Sequence, residues 1–107
     1  MEYVGNILYD EKLLDKGKKF IIFGAGLYGK KVLDYLDLNG VKESIICFCD
    51  SDTSKDILEI DGIPVYHTID TFKRYPNAEY LISGNYSKEM YKILKENDIR
   101  KIHLLMI

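Results

Sequence analysis

The sequence predicts an α/β fold of three layers, a parallel sheet of about five strands with helices on both faces, and three observations carry that prediction. Residues 18–107 alternate short β-branched or aromatic runs with longer segments of helical spacing. The first run, Lys19-Phe20-Ile21-Ile22-Phe23, is apolar without alternation, as befits a strand covered on both faces. A glycine-rich turn, Gly24 to Gly29, then leads directly into the first helical segment. The 107 residues are enough for one domain with its own core and too few for two.

Each element has a local reason. From Leu27 to about Asn39, Val32, Leu33 and Leu36 recur at helical spacing, and Asn39-Gly40 supplies a helix stop. Ser44 to Cys49 reads as a second buried strand, followed by the polar turn Asp50-Ser51-Asp52-Thr53-Ser54. Asp61-Gly62 precedes a short third strand, Ile63 to Tyr66, whose Pro64 lacks an amide donor and keeps it near a sheet edge. Thr68 to Arg74 forms a short helix capped by Thr68. Glu79 to Ser83 is the fourth strand. Ser87 or Asn85 caps the next helix, which runs to about Asn97 with Met90, Ile93 and Leu94 inward, and Lys101 to Leu105 is the fifth strand. Right-handed crossovers set these strands in the order 3-2-1-4-5 and open a crevice beyond the carboxyl ends of strands one and four.

Residues 1–17 stand outside this plan as an N-terminal helix preceding the domain at 18–107. Val4, Ile7, Leu8, Glu11 and Leu14 share one helical face, which packs back on the domain or meets a second copy of the chain.

Composition excludes several classes of function. Fifteen basic and 17 acidic side chains are interspersed to a net charge of −2, which disfavours nucleic acid as a partner. No apolar stretch approaches the roughly 20 residues that span a bilayer. The N-terminus lacks the basic start and apolar core of a secretory signal, so a cytoplasmic protein is expected. Cys47 and Cys49 project to the same side of one strand, where disulfide geometry is out of reach. With no second Cys pair and only the isolated His67 and His103, no metal site is expected, and the thiols read as buried core groups.

The glycine turn carries the chemistry. Backbone amides at the positive end of a helix hold a pyrophosphate only where side chains do not block its approach. Gly24 supplies the turn out of the strand, Gly26 leaves space for phosphate, and Gly29 lets the helix pack closely on the strand. Ala25, Leu27 and Tyr28 lie within the loop, with Tyr28 covering the ligand or simply packing. Asp50 falls 21 positions after Gly29, close to the roughly 20-residue offset at which a carboxylate meets an adenosine ribose, with Ser51 beside it. A carboxylate there repels a 2′-phosphate, so NAD is preferred to NADP. Ser83, Gly84 and Asn85 emerge next to the glycine turn and offer hydrogen bonds to a ribose or a sugar. Lys30 and Lys31 add positive charge beside the turn, where they assist an anion from outside or, the preferred reading, are simply solvated helix residues. Tyr91 and Lys95 have the spacing of a short-chain dehydrogenase pair but follow the fourth strand rather than the fifth, which marks the match as coincidental.

Phe20 to Lys30, then Cys47 to Asp52, then Asp61 to Val65 together resemble a Rossmann-like nucleotide-binding domain of bacterial surface-polysaccharide and nucleotide-sugar enzymes. Its relatives include nucleotide-sugar epimerase/dehydratases, the front domain of some nucleotide-sugar acyltransferases and the terminal domain of certain sugar methyltransferases. The resemblance implies that Gly24, Gly26 and Gly29 contact phosphate and that Asp50 contacts ribose. It implies a module binding NAD or a nucleotide sugar, with catalysis in a separate domain. An epimerase/dehydratase or oxidoreductase completed by another chain, and a regulatory or assembly domain that has lost its ligand, are the alternatives.

Overall fold

A computed structural model describes residues 18–52, 59–83 and 87–105. The N-terminal helix expected over residues 1–17 lies outside the described residues, as do Gly84 and Asn85. In chain order the elements are β1 (Phe20–Phe23), α1 (Leu27–Leu38), β2 (Ile45–Asp50), β3 (Glu59–Ile60), β4 (Ile63–His67), α2 (Thr68–Arg74), β5 (Glu79–Ser83), α3 (Ser87–Glu96) and β6 (Ile102–Leu105).

These strands form one six-stranded sheet in the order β3-β4-β2-β1-β5-β6. Every pairing is parallel except β3 with β4. The order therefore differs from the five-stranded, all-parallel expectation by a two-residue strand at one edge. Asp61 and Gly62 both have positive φ, 50° and 83°, and form the tight turn that folds β3 back on β4. Two residues are too few for a periodic pattern, so only the Asp-Gly turn could have announced this hairpin.

Alternation along β1 divides the core. Phe20 and Ile22 pack with Val32, Leu33 and Leu36 of α1 and with Phe48 and Leu81, whereas Ile21 and Phe23 face Phe72 of α2 and Leu94 of α3. Helices consequently cover both faces, and each fully buried large apolar side chain contributes about 1.5–3 kcal/mol by leaving water. Cys47 and Cys49 both lie on the α2/α3 side and are fully buried. Burial pushes the Cys47 thiol up to about 12 and raises Cys49 well above the usual thiol range.

Three local expectations are corrected. The cap of α2 is His67, not Thr68: the ring Nδ1 accepts from the Ile69 amide at 3.2 Å, while Thr68 is buried inside the first turn. Ile93 lies at the surface, and Tyr91 joins Met90 and Leu94 against the core instead. Asp50 belongs to β2 itself, pairing in register with His67.

Candidate functional site

The parallel strands β1, β2 and β4 end together, which brings the glycine turn, Asp50 and His67 to one edge of the sheet. Continuing the β1–β5 register from Ile22↔Leu81 sets Ser83 level with Gly24, and Ser83 is buried there. The Gly24 amide extends the β1–β2 ladder by donating to the Cys49 carbonyl at 2.7 Å. At that point the chain turns into α1.

The three glycines of the turn have different physical reasons. Gly24 has φ +105°, a conformation that side chains strain to adopt, and the Met90 side chain packs over it. A Cβ on Gly29 would lie 2.0 Å from the Gly24 carbonyl oxygen, so only glycine lets α1 sit this close to the turn. Gly26 is neither strained nor crowded: its φ is −89°, and an added Cβ would meet nothing within 4 Å. It is exposed, and it stands at the N-cap of α1 without offering a side chain to the helix amides. The first intrahelical bond runs from the Lys30 amide to the Gly26 carbonyl, so the preceding amides of the turn have no partner within the helix. Those amides carry the positive end of the α1 dipole.

Asp50 ties this arrangement together. Its Oδ2 accepts from the Ala25 amide at 2.9 Å and its Oδ1 from the Asp52 amide at 2.8 Å. The carboxylate, half-buried, thus clamps the glycine turn from the neighbouring strand. Each oxygen has a second lone pair for a further donor. The Ala25 amide is engaged by this bond, which leaves Gly26, Leu27 and Tyr28 as the amides open to an anion. Ser51 donates to the Thr68 hydroxyl at 3.1 Å, joining the end of β2 to the start of α2. Leu27 is 68% exposed beside the turn, and Tyr28 is half-buried with the Lys31 ammonium 5.5 Å from its ring centre.

Lys30 is not a solvated bystander. Its ammonium pairs with Asp34 at 3.0 Å and with Asp61, fastening α1 to the β3–β4 turn. The hydrogen bond to Asp61, and then that to Asp34, raises the Lys30 pKa, and Lys30 in turn lowers that of Asp61. The sequence contained both ends of this link, but nothing in their spacing of 31 residues indicated it. The Ala25–Asp50 bond is similarly invisible until β1 and β2 are paired.

The motifs of this edge also fall within the span of a family match. The PglD N-terminal domain family matches residues 19–83, from the start of β1 to the end of β5. This chain belongs to the PglD N-terminal domain family. That membership places it in bacterial sugar and polysaccharide biosynthesis, where the PglD N-terminal domain is a domain of sugar-modifying acetyltransferases. It supports the acyltransferase branch of the resemblance expected from the sequence. No curated protein and no solved structure matches the chain. The PglD N-terminal match contains the glycine turn, Asp50, Ser51 and Ser83, and stops before α3 and β6. The Tyr91–Lys95 pair falls outside it, with Tyr91 packed toward the core and Lys95 exposed.

Among the described residues no cluster of His, Cys, Asp and Glu has a metal-holding arrangement, and no helix is long and apolar enough to cross a membrane.

Proposed function

We propose that this domain binds a nucleotide sugar and holds it for modification by a catalytic domain. The diphosphate lies on the Gly26, Leu27 and Tyr28 amides, and Asp50 accepts from the ribose hydroxyls while it clamps the turn. Ser83, at the end of β5, borders the sugar.

One observation carries this reading. Fold geometry accounts for Gly24 through its positive φ and for Gly29 through its contact with the Gly24 carbonyl, but it makes no demand for glycine at position 26. Ser, Thr, Asp or Asn at an exposed helix N-cap satisfies an amide of the first turn with its side-chain oxygen, whereas glycine, also accepted there, offers none. A glycine there leaves the amides bare and the space above them open, as an approaching phosphate requires. A nucleotide sugar is favoured over NAD because the family belongs to sugar-modifying acetyltransferases.

Calorimetry with UDP-sugars, NAD, NADP and coenzyme A tests the assignment. Saturable binding of a nucleotide sugar, tighter than that of NAD, is the expected result. No binding of any nucleotide sugar, or preference for NAD, would overturn it.

A further inference from the structure

The amino ends of β1, β5 and β6 enclose a second polar region, at the end of the sheet remote from the glycine turn. A cavity of about 280 Å³ opens there between Lys18, Lys19, Asn77, Ala78, Glu79 and Lys101. Four residues of strand separate the two ends of β1, a span of about 13 Å. The two regions are therefore independent sites.

Glu79 organises this cavity. Its side chain is 11% exposed, and its Oε1 accepts from His103 Nε2 at 2.8 Å and lies 3.5 Å from the Lys18 ammonium. Its Oε2 is 3.9 Å from the Lys101 ammonium. Three lysines and one carboxylate line the cavity; Glu79 pairs with Lys18 and Lys101, and Lys19 has no carboxylate within ion-pair distance among the described residues. The lining carries an excess of two positive charges. A nearly buried carboxylate requires its partners, but it needs no more than Lys18, Lys101 and His103 to satisfy it. Lys19 and the Asn77 carboxamide remain as donors that Glu79 does not use.

We propose that this cavity is an anion site for a phosphate group, either the free ion or a small phosphate ester. A dianion matches the charge excess, and lysine ammonium groups and a carboxamide are suitable donors to its oxygens. The site is separate from the nucleotide and does not depend on the reading of the glycine turn.

Amide chemical shifts of the whole chain during titration with inorganic phosphate test this, with sodium chloride holding ionic strength constant. Saturable shifts centred on Lys19, Asn77, Ala78 and Lys101 are expected, and they should persist in a Gly26→Val variant. Lys19→Ala, which leaves the Glu79 cluster intact, should weaken binding at least threefold. Lys19→Ala with Lys101→Ala should weaken it at least tenfold. A parallel titration with glucose 1-phosphate separates the sources: tighter binding than phosphate supports the ester, and equal binding supports the free ion. Shifts that do not saturate, that centre on Gly26 to Tyr28, or that are unchanged by Lys19→Ala would overturn the proposal.

Discussion

Adding one methyl group at Gly29 or at Gly26 should have opposite consequences. Gly29→Ala drives a Cβ into a backbone oxygen that cannot rotate away, so the loss of stability should reach or exceed the ~1–3 kcal/mol typical of overpacking. Urea denaturation measures it, and a change below about 0.5 kcal/mol, the ordinary size for a surface substitution, would show that the turn is looser than described. Asp50 clamps the turn and, in the proposed function, also meets the ribose, and a chemical change in the ligand separates the two. Asp50→Asn should weaken a ribonucleotide more than its 2′,3′-dideoxy counterpart; equal losses would leave Asp50 as a clamp on the turn alone. The buried thiols provide a third check at this scale. With Cys47 pushed up to about 12 and Cys49 raised well above the usual thiol range by burial, both remain protonated at pH 8 and should resist alkylation in the folded protein. Both should react on unfolding, whereas rapid labelling of the native chain would contradict their burial. Of these residues, the glycines and Asp50 were legible in the sequence because a spacing of fixed length identifies them. What each glycine does was legible only in part, since strain at Gly24, crowding at Gly29 and vacancy at Gly26 are properties of the folded chain.

At the level of elements, the β1, β2, β4, β5 and β6 strands and the three helices were readable because apolar runs, turn signals and helical spacing persist over enough residues. The failures occur where an element is short or a partner is distant. β3 spans two residues, and the cap of α2 depends on an imidazole that propensity does not rank beside Ser or Thr. This cap makes a specific prediction. His67→Ala should cost about 0.5–2 kcal/mol by leaving the Ile69 amide unsatisfied, while His67→Asn should restore most of it. Equal stability of both variants and the parent, measured by thermal or urea unfolding, would remove the capping role. The misplacement of Ile93 has a different cause. Tyr91 and Ile93 stand on different sides of α3, and the aromatic ring, not the β-branched residue, is the one that reaches the core.

For the molecule as a whole, the doubly covered sheet explains why the glycine turn and Asp50 meet at one edge. Parallel strands end together, α1 begins at one of those ends, and the neighbouring strand supplies the carboxylate that holds the turn. The rest of the domain fixes that geometry through two cores. The family relation gives the arrangement its biochemical setting in bacterial sugar and polysaccharide biosynthesis. The setting was approachable from three ordered motifs, although the sequence alone did not choose between acyltransferase and epimerase/dehydratase relatives. The decisive measurement is calorimetric titration of a UDP-sugar into the parent chain and into Gly26→Val, with the melting temperature of each recorded. The account predicts at least a tenfold loss of affinity with little change in melting, because the new side chain fills the phosphate position while its Cβ meets no other atom of the fold within 4 Å. Undiminished affinity in a folded variant would contradict it.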